Sequence, residues 1–406
     1  MKIEIKRSTA RGEVVAPPSK SLAHRYLICA ALSEGVSVIS NVDFSEDILA
    51  TIDCIKALGA GVKISGRKVT VTGRGRAFKK GETVFSCRES GSTVRFFMPV
   101  SMMLCESAVF TGSGRLMERP FSVYEDICRE ESIDFEKHEG GIFVSGKLIK
   151  NAFSIPGDIS SQFVTGLMYA LALSGKGGKI TLTGNIESRS YINLTMGAFK
   201  AFGVKAEFSG EREIMIELGN FKNTDITVEG DASNAAFLDA FNLAGGSVSV
   251  TGLNKDSAQG DMIYKKYFNM LLSVKRPKID ISDCPDLGPV LMAVLSLRGG
   301  GGILTGTKRL KIKESDRGVA MAEELEKFGI KTQVGDNSIE IFEGSLQAPK
   351  TILSGHNDHR IVMALSVCLS VTGGEITGAE AVKKSFPDYF SVIKGLGIEV
   401  IEDGMD

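Results

Sequence analysis

Apolar and polar residues along this chain fall into one recurring pattern at a period of roughly 55 to 75 residues, and six copies can be traced. Each copy opens with a polar cluster, runs on as an apolar helix, breaks at Gly or Ser, and enters a short strand ending in Thr-Gly or a near variant. These strands are predicted at 36–41, 108–112, 180–184, 248–252, 303–306 and 376–378. A second, amphipathic helix follows. In four copies it stops at Leu58-Gly59, Phe202-Gly203, Phe328-Gly329 or Leu396-Gly397, where glycine suits a left-handed cap. Strand pairs with period-two alternation come next, as at 68–72, 213–217 and 338–342. Helices alternating with strands define an α/β or α+β fold.

A chain of 406 residues exceeds what one core usually supports, so two domains are expected, and six units divide naturally into two groups of three. No long Pro- or Ser-rich linker exists. The charged, Asn-containing stretch 219–225 is the one candidate boundary near the midpoint.

Composition narrows the function classes. A chain that is 43% hydrophobic and 24% charged is an ordinary folded protein. Lys plus Arg total 48 against 49 for Asp plus Glu, which leaves no net field to attract nucleic acid or an anionic membrane, so any anion recognition must be local. The seven cysteines (Cys29, Cys54, Cys87, Cys105, Cys128, Cys284, Cys368) form no C-x-x-C pair and read as buried thiols in a reducing compartment. Residues 1–6 alternate as an amphipathic strand does and lack the apolar core of a signal peptide. The apolar stretches 163–173 and 361–371 are too short for a bilayer of roughly 30 Å. A cytoplasmic location without membrane association is expected.

The chemistry is concentrated ahead of the apolar helices. The clusters are Ser19-Lys20-Ser21, Glu89-Ser90-Gly91-Ser92-Thr93, Asp158-Ile159-Ser160-Ser161-Gln162, Asp231-Ala232-Ser233-Asn234, Asp283-Cys284-Pro285-Asp286 and Asn357-Asp358-His359-Arg360. All six read as helix N-termini, whose unpaired N–H groups and dipole favour anions. Ser, Asp and Asn there can also be plain caps. Lys20, Arg25, Arg95 and Arg360 nevertheless recur at ends where the dipole disfavours a cation, which points to ligand anions. Arg25 and Arg95 lie inside apolar helices, where an arginine needs a partner or a ligand. Two further runs, 115–120 and 311–317, occupy the joint between strand and second helix; Arg119, just before Pro120, should sit on extended backbone. The second run could instead be a solvated charged face. His356 and His359 lack a third ligand nearby, so no metal site is expected.

Along essentially its whole length the chain resembles the enolpyruvyl transferases, specifically the 5-enolpyruvylshikimate-3-phosphate synthase family. The segments carrying the resemblance are Pro18-Ser19-Lys20-Ser21 with Arg25, Ser90-Gly91-Ser92 with Arg95, Met117-Glu118-Arg119-Pro120 and Ser160-Ser161-Gln162. Glu229-Gly230-Asp231-Ala232-Ser233, Lys313-Glu314-Ser315-Asp316-Arg317, Asn357-Asp358-His359-Arg360 and Lys384-Ser385-Phe386-Pro387-Asp388 complete them. The resemblance implies a two-domain inside-out α/β barrel, each domain three βαβαββ-type repeats with helices bundled inside and sheets outside. It implies an N-terminal lobe at 15–226, a C-terminal lobe formed by 1–14 with 227–406 and completed by the N-terminal strand, and an active site in the cleft between them.

The implied reaction moves the enolpyruvyl group of phosphoenolpyruvate onto the 5-hydroxyl of shikimate 3-phosphate and releases phosphate, with no metal or organic cofactor. By position, Lys20, Gly91, Arg119, Gln162, Arg317, Arg360 and Lys384 would hold phosphoenolpyruvate. Lys20, Ser21, Arg25, Ser160, Ser161, Gln162, Ser188, Asp286 and Lys313 would hold shikimate 3-phosphate, with Tyr191 a weaker candidate. Asp286 is expected as the base for the hydroxyl, Glu314 as the acid for the methylene carbon, and Lys20 as a second proton-transfer group. The partners expected are these small molecules alone, with no nucleic acid or membrane, and the chain is expected to be a monomer.

Two residues depart from the family pattern: Glu89 stands where many relatives have Asn, and Arg309 where some have a substrate-binding amide. One alternative is the sister transferase that uses UDP-N-acetylglucosamine. It typically carries a reactive Cys in the loop before its Arg-Pro, where this chain has Glu118 before Arg119-Pro120. The other is an anion-binding relative that has lost turnover.

Overall fold

The structure, a computed structural model, describes residues 1–402. The chain divides into two compact units, one from Pro18 to Glu229 and one joining Met1–Pro17 to the chain from Gly230 onward.

In the unit from Pro18 to Glu229 one topology is built three times. Each copy is a four-stranded sheet in which the first two strands pair in parallel and the last two form an antiparallel hairpin. The second and third copies run in chain order, with Lys79–Ser86 beside Cys105–Thr111 and Ala152–Pro156 beside Gly178–Thr183. The first copy borrows its opening strand from the far end of the unit, where Ile226–Thr227 pairs with Glu34–Ser40. The stretch 219–225 is therefore no linker. Asp225 Oδ1 accepts the Val38 amide at 2.8 Å, Ser37 Oγ accepts the Thr224 amide at 3.0 Å, and Asn223 donates to the Val36 carbonyl at 3.1 Å. Those bonds sew it to the first sheet, and the division between units falls after Glu229.

The helices Lys20–Leu32, Gly91–Leu104 and Ser161–Leu173 are apolar on nearly every face and buried on nearly every face, as core helices must be. Helices Glu46–Leu58, Ser122–Glu131 and Arg189–Ala201 bury one stripe each. The sheets alternate, with Val69 and Val71 turned to the core while Lys68 and Thr72 face solvent. The helices are inside and the sheets outside.

The other unit repeats the plan with two substitutions. Lys278–Asp280, Gly302–Thr305, Ser338–Ile341 and Thr332–Val334 form a complete sheet. In the sheet of the sixth copy, Lys2–Ile5 lies between Gly374–Thr377 and Val400–Glu402, antiparallel to both. The fourth copy keeps only Ser247–Thr251, which pairs in parallel with Arg11–Val15. The core helices are Ala232–Leu243, Gly288–Leu297 and His359–Thr372. Truncating a core side chain such as Leu291 to Ala would cost roughly 2–5 kcal/mol.

The repeat signals hold at the level of single residues. Gly59, Gly203, Gly329 and Gly397 all have positive φ, between 81° and 114°, where a Cβ would be strained. Four of the six polar clusters cap their helix through a side chain: Ser90 accepts from Thr93 N, Ser160 from Gln162 N, Asp231 from Asn234 N and Asp358 from Arg360 N. The first cluster differs, for Ser19 makes no side-chain cap bond. The fifth is not an α-helix start. Pro285–Leu287 is a turn of 3-10 helix and the α-helix begins at Gly288, because Pro285 fits the first position of either.

Candidate active site

In the unit from Pro18 to Glu229 the proposed ligands gather where the core helices begin. Lys20 opens its helix and pairs with Asp47 at 2.8 Å. One turn on, burial holds His24 well below its usual pKa, assisted by the neighbouring Lys20 and Arg25, so the ring stays neutral. Its Nδ1 lies 2.7 Å from Thr51 Oγ1, and hydroxyls continue from Thr51 to Thr93 and on to Ser90 at 2.8 Å each. Arg25 is 3% exposed and bonds Thr195 Oγ1, the Ser21 carbonyl and the Tyr191 carbonyl, with no carboxylate paired to it among the described residues.

The second and third clusters are tied together by Gln162, which accepts from Arg95 Nη1 at 2.6 Å and donates to Ser92 at 2.9 Å. Arg95 also donates to the Pro120 carbonyl at 3.2 Å, which fixes the loop carrying Arg119. Arg119 follows the 3-10 turn Leu116–Glu118 on extended backbone, with φ −66° and ψ 151°. Its Nε is buried without a hydrogen-bond partner among the described residues. A Cβ built on Gly91 would stand 2.6 Å from Arg119 Nη1, so the absent side chain makes room for that guanidinium first. Ser160 Oγ accepts the Gln162 amide as a cap and keeps its O–H to donate, Ser161 opens the helix, and Ser188 is fully buried at positive φ (55°) ahead of Arg189–Ala201.

In the other unit, Asp286 is the hub. Its Oδ1 accepts from Lys313 Nζ and Arg317 Nη1 at 2.9 Å each, and its Oδ2 accepts from Arg360 Nη2 at 2.9 Å. Burial alone would raise its pKa, but Arg360, Lys313 and Arg317 hold the carboxyl well below the ordinary range. Burial acts the other way on Lys313 and, with Arg317 and Arg309 adding repulsion that Asp286 and Glu314 only partly offset, brings its ammonium down to about 8. Arg317 is 1% exposed and meets three acids: Asp286, Glu314 Oε2 at 2.7 Å, and Asp358. The run 311–317 is thus largely drawn into the site, with Lys311 left in solvent. Arg360 also donates to Ser233 Oγ at 2.5 Å, and Lys384 to the Asn357 carbonyl at 2.7 Å.

Of the residues proposed from sequence, hydrogen bonds join Gln162 to the Arg95 and Ser92 side chains in one unit, and Lys313, Arg317 and Arg360 to Asp286, with Glu314 on Arg317, in the other. What sequence reasoning missed are the partners. Asp47 and Glu324, which takes His356 Nε2 at 2.9 Å, carry no local signal, while Ser233 and Asn357 stand in the polar clusters with nothing local to tie them to Arg360 and Lys384. Asp358 was visible only as a cap. Of the two departures, Arg309 is 5% exposed on the 3-10 turn Lys308–Ile312, near enough to repel Lys313. Glu89 lies against Gly114. Among the described residues no group of three or more His, Cys, Asp or Glu could hold a metal ion.

The fold is shared with solved EPSP synthase structures: one from Acinetobacter baumannii superposes with a TM-score of 0.77 at 21% identity, covering 99% of this chain and 100% of that one. At the sequence level, the profile of EPSP synthase (3-phosphoshikimate 1-carboxyvinyltransferase) matches residues 5–393. A 3-phosphoshikimate 1-carboxyvinyltransferase of Clostridium kluyveri is 38% identical over 421 residues, 98% of each chain. That of Clostridioides difficile is 36% identical over 435 residues, 99% of each. The chain belongs to the EPSP synthase family of transferases.

Proposed function

We propose that this protein transfers the enolpyruvyl group of phosphoenolpyruvate to the 5-hydroxyl of shikimate 3-phosphate, releasing inorganic phosphate and forming 5-enolpyruvylshikimate 3-phosphate. The observation that carries the reading is that Asp286 and Glu314 bind adjacent nitrogens of one guanidinium, Arg317 Nη1 and Nη2, at 2.9 and 2.7 Å. Addition of a hydroxyl to an enol phosphate needs a base at the hydroxyl and an acid at the methylene carbon, and this arrangement supplies two carboxyl groups held in fixed relation.

Asp286 takes the hydroxyl proton as the hydroxyl oxygen bonds to the central carbon of the enolpyruvyl group, and Glu314 delivers a proton to the methylene, which becomes a methyl. In the tetrahedral intermediate so formed the carbon–oxygen bond to phosphate then breaks. A methyl proton returns to the enzyme as the double bond re-forms, and Lys20 is the second proton-transfer group. Ringed by three cations, Asp286 is a weak base before substrate binds. Anionic substrates drawing Arg360 and Lys313 toward themselves raise its proton affinity as they arrive.

Arg119, Arg317, Arg360, Lys384 and Lys20 hold the phosphate and carboxylate of phosphoenolpyruvate, with Gly91 and Gln162 beside them. Ser21, Arg25, Ser160, Ser161, Gln162, Ser188, Lys20, Lys313 and Asp286 hold shikimate 3-phosphate. The two three-repeat lobes, 15–226 and 1–14 with 227–406, both serve this one reaction, in a monomeric cytoplasmic enzyme that needs no metal, organic cofactor, nucleic acid or membrane.

The test is phosphate release from phosphoenolpyruvate by the purified protein without added metal, with shikimate 3-phosphate or UDP-N-acetylglucosamine as acceptor. Release with the shikimate compound alone is expected. Release with the nucleotide sugar alone would reassign the substrate, and none with either would leave an anion-binding protein.

A further inference from the structure

The loop that delivers Arg360 and supports Lys384 contains two successive left-handed residues, an uncommon conformation outside glycine. His356 and Asn357 both have left-handed φ, 47° and 52°, without being glycine. Such backbone persists only where its surroundings over-determine it, and one helix does so here. Arg317, the first residue of Arg317–Lys327, grips Asp358 at the far end of the loop. Two turns later on the same helix, Glu324 grips the near end. Its Oε2 accepts the Ser354 amide at 3.0 Å and Lys327 Nζ at 2.9 Å, and its Oε1 accepts His356 Nε2 at 2.9 Å. The Glu324 side chain is 2% exposed. Burial pushes its carboxyl up, but the bonds from His356, Lys327 and the Ser354 amide more than offset this and keep it below the usual range.

We propose that Glu324, acting through His356 and the Ser354 amide, is a positioning residue for phosphoenolpyruvate: it fixes the left-handed turn whose Asn357 carbonyl seats Lys384 and whose Asp358 seats Arg317 and Arg360. Glu324 directs its side-chain hydrogen bonds to the loop and to Lys327 of its own helix. It sets where three of the proposed phosphoenolpyruvate cations stand, while the residues assigned to shikimate 3-phosphate are mostly placed by other elements. The inference rests on the functional reading above for its kinetic consequence and on geometry alone for the loop.

The experiment pairs kinetics with amide hydrogen exchange on the full chain. In Glu324→Gln the KM for phosphoenolpyruvate is expected to rise about tenfold, the equivalent of one charge-assisted hydrogen bond, while that for shikimate 3-phosphate changes less than about twofold. His356→Ala should shift the same constant in the same direction by less, and His356→Gln, whose amide can donate where Nε2 does, should recover most of it. A merely destabilised protein would lose active fraction, lowering kcat and leaving both KM values alone. An unchanged KM for phosphoenolpyruvate in both Glu324→Gln and His356→Ala overturns the proposal. Exchange of the amides in 354–358 should quicken in Glu324→Gln with the 288–297 helix unaffected. Unchanged exchange overturns the loop claim even if the wild type shows no turnover, an outcome that would count against the functional reading instead.

Discussion

Arg317 holds Asp358 by a fork of two bonds, Nε to Oδ2 at 2.8 Å and Nη2 to Oδ1 at 3.2 Å, with both side chains almost wholly out of solvent. A planar guanidinium can do this and still present Nη1 to Asp286 and share Nη2 with Glu314. Arg317→Lys keeps the charge and loses the fork. It should cost about 1.5–3 kcal/mol of stability, the worth of a hydrogen bond to a charged group, and lower turnover because Asp286 and Glu314 lose their common anchor. Thermal melts and steady-state rates check this; a lysine variant with wild-type turnover would show that the fork is dispensable.

The ammonium of Lys313, brought down to about 8 by burial, sets a pH limit. As pH rises through that value the folded protein loses this cation while the unfolded chain, with its ordinary lysine pKa, still holds the proton. Stability therefore gains with pH between about 8 and 10.5 from this group, whereas binding of an anion beside it weakens. The kcat/KM for shikimate 3-phosphate should fall along an alkaline limb near pH 8. Lys313→Arg, always charged, should move that limb upward; a limb at the same pH in the variant would assign it to another group.

Glu314 is assigned the proton delivered to carbon. Glu314→Gln keeps a polar partner for Arg317 Nη2 and removes the exchangeable proton. Substrate affinity is expected to stay within about tenfold while turnover falls at least about a hundredfold. Equal turnover in rapid-quench assays would remove Glu314 from the acid role.

Gly91→Ala tests the space beside Arg119. The added methyl meets Arg119 Nη1 at 2.6 Å and Arg95 Nη1 at 3.6 Å, both ends of flexible side chains, so the fold should survive with a stability change under about 1 kcal/mol. The displaced guanidinium should raise the KM for phosphoenolpyruvate severalfold. Titration by isothermal calorimetry would separate this from an unaltered site.

Local signals were legible in the sequence and distant ones were not. The C-caps at Gly59, Gly203, Gly329 and Gly397, the side-chain caps at Ser90, Ser160, Asp231 and Asp358, and the extended backbone at Arg119 each follow from residues within a turn of one another. The partner of Lys20 lies 27 positions away and that of Arg317 41 away, and no periodicity links such pairs. Pro285 misled because it suits the start of a 3-10 turn and an α-helix equally. The stretch 219–225 stands out as a boundary because it is charged and carries Asn; its Asn223 and Asp225 side chains bond the backbone of the Glu34–Ser40 strand, and the Thr224 amide donates to Ser37 Oγ.

The strand Lys2–Ile5, set between Gly374–Thr377 and Val400–Glu402, imposes an order of assembly. On the ribosome the contiguous unit from Pro18 to Glu229 has all its strands as soon as it has emerged, whereas Lys2–Ile5 must wait, unpaired, for neighbours made some 370 residues later. Its apolar Ile3 and Ile5, fully buried once docked, are meanwhile open to any passing strand edge. Docking of this strand, and with it maturation of the second unit, therefore follows synthesis of Val400–Glu402.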